Sequence, residues 1–251
     1  MFVNQPMSEG RDAATLTLPD KQDDLVSAVA AANAHTIVVA ETGGPVTMPW
    51  AGQVSGILEA WFPGIGGGPA IANILFGDVN PSAKLPVTFA KSDNDLPHAQ
   101  VPGINLVPPP AAGRGAGGGG GRGGMPPFAF GHGLSYTTFA YSGLRATTAG
   151  HSVTVSFSVK NGGKRAGKEI AEVYASLPAS TSEPPKRLIG WQKVELAAGE
   201  SKTINLIIDP PYLPVFNEGK NSFEVAGGDY KIWAGGSSRS LPLSQAVQVG
   251  N

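Results

Sequence analysis

Two carboxylates within the first dozen residues are the leading candidates for chemistry in this sequence. Glu9 and Asp12 lie in the polar stretch Ser8-Glu-Gly-Arg-Asp12, which follows an apolar start. Gly10 has no side chain to block a ligand, and it tolerates backbone angles that aim its neighbour outward. Solvated loop carboxylates without a role are also common. The residue types alone therefore make Glu9 the first candidate for a general acid or base and leave its role open.

Other site chemistries find less support. The histidines lack the spacing of a metal site, and there is no cysteine, so we expect no metal and no cofactor. The glycine-rich run 64–69 ends in proline where a dinucleotide fingerprint requires glycine or alanine. No Gly-x-Ser-x-Gly nucleophile elbow is present. Glu41 follows a predicted strand, and we interpret it as a solvated rim residue. The histidines are His35, His98, His132 and His151.

Charge and hydropathy limit the partners. The formal net charge of −1 over 251 residues gives no electrostatic reason for binding nucleic acid or an anionic membrane. No apolar run reaches the ~18 residues that span a bilayer, and no signal peptide is evident at the N-terminus. We therefore expect a soluble chain with a neutral substrate. Cytoplasm and periplasm both remain open.

The elements that must position Glu9 form an α/β pattern over residues 1–91. A helix is predicted after Pro19, with its buried stripe at Leu25, Ala28, Val29 and Ala32. The β-branched run 36–40 predicts a buried parallel strand. Helical spacing recurs at 54–61, followed by a short apolar strand at 60–62, a helix ending near Phe76 and a last short strand within 84–89.

The composition and the predicted secondary structure change at residue 92 and again at residue 128. Residues 92–127 are rich in glycine and proline and predict a loop or linker. Residues 128–251 are predicted to be all-β, because segments with period-two alternation are separated by turn residues. About seven strands are expected, the number typical of an immunoglobulin-like or fibronectin type III-like sandwich. The predicted strands are 152–159, 169–177, 187–196, 202–208, 222–225 and 229–234.

Several phrases of the sequence resemble family 3 glycoside hydrolases. Ser8–Asp12 with Leu16–Gln22 is similar to the segment that carries the acid/base glutamate in that family, although Ala13 stands where the family often has arginine. Glu59-Ala-Trp-Phe-Pro-Gly64 and residues 74–89 resemble the end of its α/β sandwich domain. Residues 128–139, 159–169, 190–196 and 227–235 are similar to its fibronectin type III-like domain. The resemblance implies a partial α/β sandwich with parallel strands, followed by a β-sandwich.

The resemblance also implies a function. Retaining glycosidases use two carboxyls about 5–5.5 Å apart, one as acid/base and one as nucleophile. By resemblance Glu9 is the acid/base, and Asp12 binds substrate or orients Glu9. The family's nucleophile is an aspartate of an N-terminal (β/α)8 barrel, which this sequence does not include. We therefore expect a β-glucosidase-like or β-xylosidase-like enzyme portion that needs a barrel-bearing chain or self-association, with a β-linked glycoside as substrate.

Two questions remain open at this stage. The sequence is either a truncation or one subunit of a split enzyme. The alternative function is a non-catalytic β-sandwich module that binds carbohydrate or protein. Exposed aromatic side chains in line on one sheet face would favour that alternative, and Trp191 and Trp233 are the candidates for such a surface.

Overall fold

A computed structural model describes residues 1–10, 13–95, 127–208 and 212–250. The chain divides into two compact units. The first comprises Met1–Leu75 and Val87–Phe128, and the second comprises Phe76–Pro86 and Ala129–Asn251. Asp12 and residues 96–126 of the predicted 92–127 loop lie outside the described residues. In the described ranges, no helix is long and apolar enough to cross a membrane.

The first unit contains a three-stranded parallel sheet. Its strands are β1 (Phe2–Gln5), β2 (Ile37–Thr42) and β3 (Gly56–Glu59), in the order β1-β2-β3. Both neighbouring pairs are parallel. Helix α1 (Gln22–Ala32) lies between β1 and β2 along the chain, and helix α2 (Gly67–Leu75) follows β3. Parallel strands need such long connections because each chain segment must return to the starting end of the sheet.

Helix α1 buries a different stripe from the one that the sequence predicts. Val26 and Ala30 are its buried residues, whereas Leu25 is 54% exposed. The predicted stripe is wrong because α1 is apolar over most of its circumference, so two adjacent faces fit the periodicity equally well. The fully buried Trp50 donates its indole N–H to Asp23 at 2.7 Å and so ties the start of α1 to the loop after β2.

Three further predictions for the first unit are wrong. The short strand predicted at 60–62 does not form, because β3 ends at Glu59 and the chain turns at Trp61, which has a φ of +53°. Residues 56–59 form strand β3 rather than a helix over 54–61, and Ala40 is paired with Glu59 in the parallel register. Within the described segment 84–89 no strand forms: an isolated antiparallel bridge joins Phe89 to Phe128 instead. Pro86 lacks an amide hydrogen, which limits strand pairing in this segment.

The second unit is built from two antiparallel sheets and a small hairpin. One sheet has the order β12-β11-β6-β7, the other has the order β4-β5-β8, and β9 pairs with β10. Inward-facing residues of both large sheets form one core, which includes Phe157, Ile189 and Ile232. The predicted strands of residues 128–251 overlap observed ones, whereas β4, β9 and β12 were not predicted. The strands are β4 (Phe139–Ala149), β5 (Ser152–Asn161), β6 (Gly167–Ser176), β7 (Arg187–Leu196), β8 (Ser201–Ile208), β9 (Val215–Asn217), β10 (Ser222–Glu224), β11 (Gly228–Gly235) and β12 (Leu243–Val249).

Residues 76–86 belong to this second unit, although they precede the sandwich by a long stretch of chain. Asn80 holds the segment in place: its side-chain amide donates to Ala166 O at 2.9 Å, and its side-chain oxygen accepts the Tyr136 amide at 2.8 Å. Lys84 pairs with Glu169 at 3.1 Å. This grouping differs from the division at residue 91 that the composition suggests, and the domain boundaries at 91 and 127 stay a prediction.

Candidate active site

The carboxyl ends of the three parallel strands meet at one edge of the sheet and border a groove. Its volume is about 520 Å³. Ligands of open parallel sheets bind at this edge, because the loops that leave the strands there form a crevice. Glu41 is half-buried and lies on the groove wall, in agreement with its position near the end of β2. The groove is lined by Asn4, Gln5, Pro6, Glu41, Phe62, Pro63 and Gly64.

Glu9 lies in the loop that leaves β1 at this edge. It occupies an exposed turn, and Gly10 after it has a φ of +74°, a backbone conformation that side-chain-bearing residues rarely adopt. A Cβ on Gly10 would meet nothing within 4 Å, so the space beside Glu9 is open. The Glu9 carboxylate has no hydrogen bond or ion pair with another described residue. It is therefore accessible to a ligand.

The Glu9 loop is fastened at its start. The Gln22 carboxamide accepts the Asn4 amide at 2.9 Å and donates to the Asn4 carbonyl at 2.8 Å, so it pairs with β1 as a neighbouring strand would. Met7 packs so closely on Gly43 that a Cβ there would lie 2.7 Å from the Met7 sulfur and 2.9 Å from the Phe62 ring. These contacts hold the loop against the segments that follow β2 and β3.

The loop is also fastened beyond Glu9. The Asp93 carboxylate accepts the Thr15 hydroxyl at 2.7 Å and the Leu16 amide at 2.8 Å. Glu9 thus lies between two anchored points. Asp12 lies outside the described residues, so its role as a substrate-binding residue stays a prediction.

Sequence reasoning missed a partly buried carboxyl at the same edge. The Glu59 Oε1 atom accepts the Trp61 amide at 3.1 Å and lies 3.2 Å from the Thr42 hydroxyl oxygen. Its Oε2 atom is buried and has no hydrogen-bond partner among the described residues. Burial disfavours the charged form and is the main cause that raises the pKa of Glu59 from 4.5 to about 7. The available signal was its place in the phrase Glu59–Gly64, but the helix predicted there concealed its position at a strand end.

The second unit has its own polar cluster, beside a cavity of about 690 Å³. The Glu169 carboxylate accepts the Tyr141 hydroxyl at 2.6 Å and pairs with Lys84. Burial, followed by the charge of Glu169, raises the pKa of Tyr141. Nearby, Tyr174 donates to Glu172 at 2.5 Å, and burial raises the pKa of that carboxyl. These groups satisfy each other, which is typical of a structural network.

The two tryptophans considered for a binding platform differ in their surroundings. Trp191 on β7 is 55% exposed. Trp233 on β11 donates its indole N–H to Ser176 at 3.0 Å, and the Lys231 ammonium lies 4.1 Å from its ring centroid. One face of Trp233 is therefore occupied by a cation. No metal-site grouping of three or more histidine, aspartate or glutamate side chains occurs in the ranges that the structure describes.

Comparison with known families identifies the class of protein to which the chain is related. Residues 1–136 match the glycosyl hydrolase family 3 C-terminal domain, and residues 169–238 match the fibronectin type III-like domain. The chain therefore belongs to glycosyl hydrolase family 3, as the motifs indicated.

Individual relatives agree with this assignment. The chain is 38% identical to beta-glucosidase B of Emericella nidulans, covering 97% of this chain and 31% of the relative. It is 37% identical to thermostable beta-glucosidase B of Acetivibrio thermocellus, covering 96% and 33%. The crystal structure of DesR, a beta-glucosidase from Streptomyces venezuelae in complex with D-glucose, superposes with a TM-score of 0.86 at 34% identity, covering 99% and 33%. The chain spans about a third of the length of these relatives.

Proposed function

We propose that this chain is the C-terminal portion of a retaining β-glucosidase-type enzyme and that Glu9 is its general acid/base. The single observation that carries the proposal is the position of Glu9: an exposed, unpaired carboxylate among the described residues, in an anchored loop at the carboxyl edge of a parallel sheet. Membership of glycosyl hydrolase family 3 supports it, since the relatives named above are beta-glucosidases.

The chemistry assigns two tasks to Glu9. In the first step its protonated carboxyl donates to the glycosidic oxygen while a second carboxylate attacks the anomeric carbon and the bond to the leaving group breaks. In the second step the Glu9 carboxylate accepts a proton from water as the water attacks the anomeric carbon, and the bond between that carbon and the second carboxylate breaks. Exposure suits both tasks, because the carboxyl must reach first the leaving group and then solvent. Asp12 is proposed to orient Glu9 or a sugar hydroxyl.

The second carboxylate is proposed to come from a (β/α)8 barrel, on a barrel-bearing chain or in a longer chain of which this is a part. We also propose that the three-stranded sheet is the end of a larger α/β sandwich layer and that the second unit is a fibronectin type III-like sandwich. Proton donation alone contributes ~10²- to 10⁴-fold. The 251 residues by themselves should therefore hydrolyse no β-glucoside at a useful rate.

The test joins this chain to the N-terminal two thirds of the Acetivibrio thermocellus relative, the part that the chain does not cover. Hydrolysis of aryl β-glucosides with graded leaving-group pKa is measured for the unmodified chain, for Glu9→Gln and for Glu218→Gln, which changes an exposed carboxylate of the second unit. We expect Glu9→Gln to lower kcat/KM by ~10²- to 10⁴-fold for poor leaving groups and much less for good ones.

The control and the contradicting result are specific. Glu218→Gln should respond to leaving-group pKa as the unmodified chain does. If Glu9→Gln shows that same response, Glu9 is not the acid, and a residue such as Asp12 or one on the barrel must take the role. If the assembled protein is inactive with every substrate while it is folded, the proposed activity itself is wrong.

A further inference from the structure

The Glu59 carboxyl occupies an unusual place at the groove edge. It ends β3, and its Oε1 atom contacts both the Thr42 hydroxyl oxygen at 3.2 Å and the Trp61 amide at 3.1 Å. The Oε2 atom is enclosed without a partner in the part of the chain that the structure describes. Burying an ionised carboxylate with one oxygen lacking a hydrogen bond costs much more free energy than burying a neutral carboxylic acid in the same way.

Counting protons at Thr42 indicates which form of Glu59 is present. A hydroxyl has one hydrogen to donate. Thr42 lies 2.7 Å from the Gly44 carbonyl oxygen, which can only accept, so the hydrogen belongs in that shorter bond. The Thr42 oxygen then faces Glu59 with a lone pair. Their contact is a hydrogen bond only when Glu59 carries the proton and donates it.

Two residues that line the groove, Glu41 and Phe62, are close in sequence to the residues that this bond connects. Thr42 ends β2, and Gly43 after it packs beneath Met7 and Phe62. Trp61, which donates its amide to Glu59, has a φ of +53°, so this turn is held in a conformation that is costly for a residue with a side chain. Phe62 follows directly and lines the groove. Glu59 therefore links the loops that follow β2 and β3.

We propose that Glu59 is a proton-dependent positioning residue: its neutral carboxyl donates to Thr42 and holds the β2 and β3 loops around the groove, and its ionisation releases them. The consequence for catalysis rests on the proposed function, whereas the switch itself does not. Burial is the main cause that raises the pKa of Glu59 to about 7, and the Trp61 and Thr42 amides act in the opposite direction. None of these influences is a charged side chain. Glu41, next to the Ala40 that pairs with Glu59, is the titratable group on the neighbouring strand.

The test follows the Met7 methyl group in the complete 251-residue chain labelled with ¹³C-methyl methionine. The sequence has four methionines, so the spectrum is simple, and Met7→Leu assigns the signal. We expect the Met7 shift to titrate as the pH is raised through neutrality, with a midpoint at about 7. The Met48 signal, from a buried side chain of the same unit, serves as an internal reference.

Two variants decide the cause. Glu59→Gln has nearly the same shape and is neutral at every pH, so the Met7 titration should disappear. Glu41→Gln changes the carboxylate on the groove wall and should leave the midpoint within half a pH unit. A Met7 titration that persists in Glu59→Gln, or a wild-type midpoint near the ordinary 4.5, overturns the proposal.

The same spectra separate this proposal from the function. Glu9→Gln should titrate like the unmodified chain, because Glu9 has no described contact with Glu59. The result includes no measurement of activity. An inactive assembled enzyme would therefore not contradict the proposal about Glu59, and an active one would not support it. If Glu59→Gln fails to fold, the wild-type midpoint together with Thr42→Val still decides. Removing the hydroxyl that accepts the Glu59 proton should lower the Met7 midpoint by at least half a unit, and a raised midpoint overturns the proposal.

Discussion

Replacing Lys84 with methionine should destabilise the second unit severely. The Lys84 and Glu169 side chains are only 11% and 6% exposed, and their charged atoms lie 3.1 Å apart. Without the ammonium group, Glu169 keeps the Tyr141 hydroxyl but remains a buried carboxylate without a counter-charge. Breaking a buried pair in this way typically costs about 3–5 kcal/mol.

Adding Glu169→Gln to Lys84→Met tests whether the unpaired buried charge causes the loss of stability. In the double variant Lys84→Met/Glu169→Gln the carboxamide at position 169 is neutral, and its oxygen can still accept from Tyr141. Most of the lost stability should therefore return and leave a deficit of about 1–2 kcal/mol. At about 2–4 °C per kcal/mol for a domain of this size, Lys84→Met alone should lower Tm by roughly 6–20 °C. The double variant should recover more than half of that.

Urea and thermal unfolding measure these losses of stability. Hydrogen exchange on β6 peptides assigns the unfolding transition to the second unit. Lys168→Met is the matched control, because Lys168 and Glu195 form a pair at 3.5 Å with side chains 50% and 69% exposed. Such a surface pair contributes about 0–1 kcal/mol. If Lys84→Met costs no more than Lys168→Met, or if the double variant is as unstable as the single one, the reasoning about the buried charge is refuted.

Three further predictions are tested by the same unfolding assays. The Asn161 side chain is fully buried, donates two hydrogen bonds and accepts two. Asn161→Ala should therefore lower the free energy of unfolding by about 2–4 kcal/mol. Wild-type stability in Asn161→Ala would contradict this. Gly131 and Gly199 have similar φ values of +80° and +77°, but a Cβ at Gly131 would lie 2.3 Å from a Glu172 oxygen, whereas one at Gly199 would meet nothing within 4 Å. Gly131→Ala should therefore lose clearly more stability than Gly199→Ala. Equal losses would refute the steric argument. Because the folded-state pKa of Glu59 is raised to about 7 from 4.5, its stabilising effect is complete below pH 4.5 and is lost as the pH rises through 7. In Glu59→Gln this decline in the free energy of unfolding should be absent. A decline as large as that of the unmodified chain would contradict the raised pKa of Glu59.

The strands of the second unit were predictable where side chains alternate without interruption. In β5 the buried positions follow a period of two, which the sequence displays as alternating valine or phenylalanine and polar residues. Strand β4 breaks this rhythm, because its register to β5 shifts between Ser142 and Arg145, around Gly143 with its φ of +69°. A bulge of this kind moves later side chains to the other face, so the pattern no longer predicts a strand.

The first unit was harder because its elements are short. Strand β3 has four residues, and its apolar positions also fit helical spacing together with their neighbours. What makes it a strand is pairing with β2, and that contact is distant in sequence. Helix α1 had the opposite difficulty: it has too many apolar positions, and tertiary packing rather than the helix itself decides that Val26 and Ala30 are the buried pair.

The two carboxyls at the carboxyl edge of the sheet show the limit of reading a site from sequence. The exposed position of Glu9 is predictable because its signal is local: the residue stands beside Gly10, which has a positive φ in the structure. The protonation of Glu59 depends instead on Thr42 and Gly44, which precede it in the chain and approach it only when Ala40 pairs with Glu59. No pattern around Glu59 records which hydroxyl will face it or where that hydroxyl sends its hydrogen. An exposed acid can therefore be found from its neighbours in sequence, whereas a buried acid becomes recognisable only when the register of the sheet is known.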